Sequence, residues 1–396
     1  MTRQRAFTGY LPLAAKVAFA VATAVLAAAC GSSTSPSSSA PSSGTASAGV
    51  AQAQAVVARE SRATTSFPPP GPPINVRSLR GKSVWYIPLS LSVPVFAISN
   101  GTLTTALSRA GLIEHSCSGD ASPSTTAACI NQAVGAGAGA IVTDAIPVAM
   151  AANAFANAES HHIPVLVQDQ LPPTSGPGMV QGSGDDRLTY QPLQAANLPR
   201  GAAYWTIADS HGKANVMLEP YTDSPSTLSY MDSTTALFKR LCPACALSDQ
   251  KIGIATASLA ASQTSSALLS HPNVNYVLPE YDALDQGVGQ GIQQAGFASK
   301  VKVATSAGDL PALQAIKAGR ISVDAGEDFP YIGWADADEA MRMMLGKPIV
   351  PEKPPLRLFT AANVSSLSLT AAAQASGEWY GSGAYTSMFE HLWGLK

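Results

Sequence analysis

Ser83-Val-Trp-Tyr-Ile-Pro-Leu-Ser-Leu-Ser-Val-Pro-Val-Phe96 opens the folded part of the chain. It begins as a β-branched and aromatic run of strand length, turns through small polar residues, and leads into a segment that predicts a helix over 95–110. The same unit then recurs. Strands are predicted over 139–143 and 164–167, and helices over 125–136 and 147–160. The pattern restarts with a helix over 194–209. Strands at 214–218, 251–255, 274–278 and 301–304 then alternate with helices at 224–241, 262–269, 285–295 and 310–318. Alternation at this spacing implies parallel sheets flanked by helices. The restart makes the fold class α/β, with two doubly wound parallel-sheet lobes.

Upstream of Lys82 the composition changes. Arg3, Arg5 and Lys16 precede a short apolar run over 17–29, built like a secretory signal and too short for a spanning helix, which needs roughly 20 residues. Ala27-Ala-Ala-Cys30 resembles a bacterial lipobox, in which the signal is cut before a cysteine that then carries lipid; Ala27 stands where leucine is usual. Cleavage among the alanines as an ordinary signal is the other reading. Residues 31–49 are nearly all Ser, Thr, Ala, Gly and Pro, and Pro68-Pro-Pro-Gly-Pro-Pro73 follows. Residues 30–78 therefore read as a disordered tether, with the globular part starting near Leu79. With 13 % charged residues and a formal net charge of −2, nothing recommends nucleic acid as a partner. No second apolar stretch is long enough to span a membrane.

Five cysteines divide as one plus four. With Cys30 assigned to lipid, the spacing suggests Cys117 with Cys129 and Cys242 with Cys245 in an oxidising compartment, although three pairings are possible. Cys242-Pro-Ala-Cys245 also has the spacing of a thiol–disulfide redox motif. It follows a helix instead of opening one, which favours a structural clip. Cys117 and Cys129 lack the spacing of a zinc knuckle, and His161-His162 reads as the basic end of a helix. No metal or cofactor is expected.

Ligands of doubly wound sheets bind beyond the carboxyl ends of the strands. That rule selects residues 90–96, Asp144, residues 168–170, 219–223, 280–282 and 305–309, where acids and amides recur in a chain otherwise poor in them. Phe96, Tyr221 and Tyr281 are placed to stack on a ligand's apolar face. Any one of these carboxylates alone is more often a helix cap or turn residue, and it is their joint recurrence at strand ends that points to a ligand.

In order and spacing, residues 82–358 resemble the ribose-type periplasmic binding proteins. The opening strand and loop, Gly139-Ala-Ile-Val-Thr-Asp144, Ile163-Pro-Val-Leu-Val-Gln-Asp169, His271-Pro-Asn-Val-Asn-Tyr-Val-Leu278 and Ala318-Gly-Arg-Ile-Ser-Val-Asp-Ala-Gly-Glu327 carry the likeness. The resemblance implies two lobes joined by a three-segment hinge. Residues 79–185 plus 328–357 would form one lobe, 186–327 plus 358–385 the other, and 386–396 a tail. It places Phe96 where an aromatic ring stacks on sugar, Asp144 and Asp169 where polar side chains take hydroxyls and Glu327 at a hinge-side amide position; with the strand-end residues Ser92, Tyr221 and Asp282 and the departing positions Gln170, Tyr230, Tyr281 and Ser306, these are the candidate ligand contacts. Where the family carries arginines this chain has Gln170 and, near Ser229, Tyr230; Val93 and Tyr281 replace amides. Loss of both guanidiniums removes forked donors. The remaining carboxylates would suit a polyol, an aminated sugar or a cationic metabolite. The implied function is capture of a small polar, sugar-like molecule for the permease of an ABC importer, by a monomer held to the extracytoplasmic face of the membrane by its lipid. A sensory receptor would look identical.

The rival of another class is a secreted serine hydrolase. Ala304-Thr-Ser306-Ala-Gly308 follows a strand and precedes a helix, as a nucleophile elbow does, with Asp328 or Asp336 and His391 downstream. The aromatics Trp379, Tyr380, Tyr385, Phe389 and Trp393 are too apolar for a free tail and predict packing on a lobe or against a partner.

Overall fold

A computed structural model describes residues 43–172, 188–191, 193–222 and 224–396. The signal peptide, Cys30, Asp223 and the glycines near 182–184 lie outside them. In chain order the first elements are α1 (Ser43–Glu60), β1 (Ser83–Pro88), α2 (Pro94–Ala110), β2 (Ile113–Ser116), α3 (Pro123–Gly135), β3 (Ala140–Asp144), α4 (Ala152–Ser160), β4 (Val165–Gln168) and β5 (Leu188–Gln191). There follow α5 (Asn197–Asp209), β6 (Asn215–Glu219), α6 (Pro225–Leu241), β7 (Ala246–Asp249), α7 (Ala260–Ser270), β8 (Tyr276–Pro279), α8 (Asp285–Gln294), β9 (Lys302–Ala307), α9 (Leu310–Lys317) and β10 (Val323–Glu327). The chain ends with α10 (Phe329–Met344), β11 (Leu356–Thr360), α11 (Ala361–Val364), α12 (Ala371–Ser376) and α13 (Tyr385–Leu392). No helix among the described residues is long and apolar enough to cross a membrane.

The strands form two sheets, ordered β2-β1-β3-β4-β5 and β11-β10-β9-β8-β6-β7. Every pairing is parallel except β10 with β11. Each sheet is covered on both faces, as parallel sheets require, and the alternation along β1 shows how. Val84 and Tyr86 enter a core with α2, α10 and α13, while Trp85 and Ile87 pack against α3 and α4. In the second sheet Met217, Val277 and Val303 face α7, α8 and α9, whereas Val216, Leu218 and Leu278 face α5 and α6. The close crossing of α2 and α10 needs Gly333, where a Cβ would lie 2.6 Å from the Leu103 backbone nitrogen.

The α/β class and the two lobes are as expected, and four details differ. β2 and β5 were not legible as strands: Ile113-Glu-His-Ser116 is a mostly polar edge with a single apolar residue, and Leu188–Gln191 is only four residues long. β5 joins the first sheet, although the segment from 186 onward was expected in the second lobe. The strand expected over 251–255 is absent. Its sheet position is taken by β7, and Ile252 makes only an isolated bridge to Tyr221. The tether expected through residue 78 is ordered from Ser43. Val50, Ala53 and Val57, spaced three and four apart, lay α1 on α5 and α6, and Gly49 approaches the Leu241 carbonyl so closely that a side chain would not fit.

The chain passes between the lobes from β5 to α5, from β10 to α10, and from α10 to β11, which makes the expected three-segment hinge. Two further strands of chain run alongside. Residues 61–79 lead from α1 on the second lobe to Ile74, Val76 and Leu79 in the first lobe's core, and residues 377–385 return from Trp379 and Tyr380 to α13. The two are tied together where the Thr64 amide donates to the Tyr380 carbonyl at 2.7 Å and where the Phe67 and Tyr385 rings meet at 5.3 Å. The aromatic tail is therefore core: Tyr385, Phe389 and Trp393 recur every four residues along one face of α13 and the turn that follows it, and pack on Tyr331 and Trp334. Both suggested disulfides are present, Cys117–Cys129 across β2 and α3 and Cys242–Cys245 closing the end of α6.

Candidate functional site

In both sheets the strand order reverses beside the first strand in chain order, between β1 and β3 in the first lobe and between β6 and β8 in the second. A cavity of about 270 Å³ opens at the carboxyl ends of these strands. Leu89 and Ala145 follow β1 and β3 into its wall, and Tyr221 and Tyr281 follow β6 and β8. Glu327 and Phe329 enter from the crossover after β10. A larger groove of about 930 Å³ lies at the opposite, amino-terminal end of the first sheet, around Ser83, Gly139 and His162. It draws on one lobe only, so the cavity between the lobes is the candidate site. Three alanine or aspartate residues in its wall, Ala145, Asp169 and Ala307, hold positive φ of 56°, 56° and 131°. L-residues rarely adopt such a backbone, and it concentrates where the surroundings force a chain to present a group.

Seven of the eleven candidate contacts line this cavity: Phe96, Asp169, Gln170, Tyr221, Tyr281, Asp282 and Glu327. The other four do not. Ser92 is exposed and bonds Ser90 instead, its Oγ 2.8 Å from the Ser90 hydroxyl, because the loop turns its serines outward and Val93 inward. Asp144 is buried one layer behind Asp169 and accepts from the Tyr86 hydroxyl at 2.6 Å. Tyr230 is buried beneath the wall, and its hydroxyl donates to the Asp169 carbonyl at 3.1 Å. Ser306 is fully buried and donates to the Glu280 carbonyl at 2.5 Å. His391, the hydrolase candidate's partner, directs Nδ1 to the Ser387 carbonyl at 2.7 Å on an exposed face of α13. Sequence reasoning missed Phe329, Ser224 and Thr227. The last two carry a readable signal, a Ser-Pro helix start directly after a strand end.

Side chains and backbone from the two lobes meet across the cavity mouth. Ser224 Oγ donates to Gln170 Oε1 at 2.8 Å, and the Leu171 amide donates to Ser226 Oγ at 2.9 Å. Together with Tyr230 on the Asp169 carbonyl, these contacts fasten the end of β4 to the first turn of α6, so the structure is closed.

The electrostatics are one-sided. Burial pushes Glu327 up to about 8, and the charges of Asp144 and Asp328 add to the effect against the Gln194 amide that donates to it. Burial raises Asp144 to about 6 in spite of the Tyr86 hydroxyl. Asp169 is held well above the usual carboxyl range by burial and then by the charges of Asp144, Glu327 and Asp336. The Asp144 and Asp169 carboxyls influence each other's titration, and the Oδ1 of each is buried without a hydrogen-bond partner. Burial likewise lifts Glu280 to about 8; it accepts from the Tyr221 amide at 2.7 Å.

Comparison with known proteins agrees with this architecture. No curated protein matches the sequence significantly. Among solved structures, a 5-methylthioribose transporter solute-binding protein from Thermotoga lettingae, in complex with 5-methylthioribose, superposes with a TM-score of 0.65 at 15 % identity, over 79 % of this chain and 99 % of its own. GanP, a glucose-galactose binding protein from Geobacillus stearothermophilus, gives 0.63 at 15 % identity over 72 % and 98 %. The Caulobacter myo-inositol binding protein, bound to myo-inositol, gives 0.62 at 18 % identity over 72 % and 95 %. At such identities the likeness is one of fold. The periplasmic binding protein domain family matches residues 100–348, more than half of the chain. With two doubly wound lobes, a three-segment hinge and a closed cavity at the strand ends, the chain belongs to the periplasmic binding protein family.

Proposed function

We propose that this protein is an extracytoplasmic solute-binding lipoprotein, a monomer that captures one small polar, sugar-like molecule between its lobes and presents it to the permease of an ABC importer. The cavity carries the reading, because its wall comes from both lobes and is complete only when they close. Solute contacts both sides in the closed form alone, so its differential affinity draws the lobes together. Sugars and polyols bound by structural neighbours, such as myo-inositol and D-allose, support a solute of that size. Lipid on Cys30 and the linker ahead of α1 would hold the protein near its permease. No reaction is required of the site; Ser306, spent on the Glu280 carbonyl, supports binding over hydrolysis.

Titration of the purified protein with sugars, polyols, amines and nucleosides, followed by thermal midpoint and X-ray scattering, tests this. A true solute raises the midpoint and shrinks the scattering radius together; if every solute leaves both unchanged, solute capture is wrong. Intact-mass analysis of the membrane fraction reports the lipid. Tyr230→Phe removes only the hydroxyl that fastens Asp169. It is expected to weaken solute binding about fivefold, corresponding to about 1 kcal/mol for one hydrogen bond, mainly through faster dissociation. An unchanged dissociation rate would mean that the latch does not stabilise the closed form.

A further inference from the structure

The polar inventory of the cavity is lopsided. Among the described lining residues there is no lysine, arginine or histidine. Several side-chain donors in the wall are already committed: Gln170 Nε2 to the Asp169 carbonyl, Ser224 Oγ to Gln170 Oε1, and Thr227 Oγ1 to the Tyr221 and Ser224 carbonyls. Burial and then the Glu280 charge raise the Tyr281 hydroxyl well above its usual range. Acceptors are in surplus. Glu327, 1 % exposed, leaves Oε1 with no partner, and Asp169 Oδ1 is likewise buried without one. Phe96, Phe329 and the Tyr221–Tyr281 pair, whose rings meet edge-on at 6.3 Å, supply apolar faces around these carboxyls.

A neutral sugar presents each hydroxyl as both donor and acceptor, and a wall whose described side chains offer more acceptors than donors leaves some of its oxygens stripped of water and unpaired. A cationic nitrogen has only donors. It would meet the unpartnered Glu327 and Asp169 oxygens, favour their ionised form, and lie against aromatic faces that attract positive charge. Resting on the reading of this chain as a solute-binding protein, we infer that the captured solute carries a protonated amine, seated between Glu327 and Asp169, on a body no larger than a monosaccharide. The volume of about 270 Å³ sets that upper size.

Calorimetric titration of the full chain with matched pairs decides it: D-glucosamine against D-glucose, and D-galactosamine against D-galactose, with agmatine and choline as cations lacking the sugar ring and myo-inositol as a neutral polyol. At least one amine-bearing probe is expected to bind, and an amino sugar that binds should do so at least tenfold more tightly than its neutral counterpart. Glu327→Gln and Asp169→Asn should each weaken that binding at least tenfold without lowering the melting temperature of the solute-free protein. A neutral sugar that binds as tightly as its amino partner and is indifferent to Glu327→Gln overturns the amine and leaves solute capture standing. Failure of every amine probe, while a neutral solute from the wider panel closes the lobes, overturns it equally. Failure of every solute to close them overturns both readings.

Discussion

Between pH 5 and pH 8 the solute-free protein is expected to lose stability, its melting temperature falling by roughly 10 °C. The cause is an interior rich in carboxyls with few cations to pair them. Burial lifts Glu219, Glu280, Glu327, Asp328 and Glu352 each to about 8, and Asp336, Asp324 and Glu339 also stand well above the usual range through burial and neighbouring acids. Arg342 bonds Asp338 at 2.6 Å, and Glu339 and Glu352 crowd the same spot, each bringing one oxygen within 4.8 Å of the others. Below the ordinary carboxyl pKa of about 4.3 both folded and unfolded chains are protonated, and the raised values contribute their full stability. As the pH climbs toward 8 the unfolded chain releases protons that the folded chain still holds, and that contribution drains away. One fully buried group shifted to about 8 accounts for about 4 kcal/mol over this range, which by itself corresponds to the fall of roughly 10 °C and makes that figure a lower bound. Scanning calorimetry across the range checks the prediction, and a flat or rising profile would defeat it. Glu219→Gln supplies the local control: its Oε1 accepts from Thr264 while Oε2 has no partner, so the variant should gain stability at pH 8 and little at pH 5.

Trp393→Ala is expected to destabilise the first lobe by about 4 kcal/mol, lowering the melting temperature by roughly 10 °C. The ring is fully buried, stacks on Trp334 at 5.5 Å between centroids, and packs on Phe389 at 5.6 Å. Its Nε1 donates to Asp338 Oδ1 at 2.7 Å, the same carboxylate that holds Arg342. Removal leaves a cavity beside a buried ion pair that has lost one of its donors, which adds to the cost of the lost packing. The Trp393→Phe variant keeps most of the volume and loses the donor, so it should fall between wild type and alanine. If Trp393→Ala melted with the wild type, the tail would be a surface appendage, and its aromatics would be available for a partner after all.

Legibility in the sequence followed the strength of local patterns. Central strands such as Ala140–Asp144 and Val165–Gln168 are continuous apolar runs, and helices such as α2 and α6 are long and end in clear punctuation, so they were found within a few residues. Edge strands were not: β2 and β7 are partly exposed and carry too little apolar periodicity. Strand ends located the cavity, and seven of the eleven candidates reached its wall. Of the four that missed, Asp144 and Ser306 were displaced by a one-residue choice of facing, whereas Ser92 lies in an exposed loop and Tyr230 on helix α6 beneath the wall. Side chains alternate along a strand, so Ser306 and Asp144 could turn beneath the wall while their neighbours Ala307 and Ala145 entered it.

By itself, the sequence determined the α/β class, the central strands and longer helices, and the dearth of cationic side chains at the strand ends, because each is written in local pattern or composition. Only the tertiary structure decided that α1 and the aromatic tail belong to the folded body, and that two further strands of chain run beside the hinge. It also showed that the carboxyls left at the strand ends converge. These features depend on contacts between residues hundreds of positions apart, such as Thr64 with Tyr380 and Asp338 with Pro72 through Arg342. Local propensity carries no record of which distant surface will cover an Ala-rich helix, or of which buried oxygen will be left without a donor.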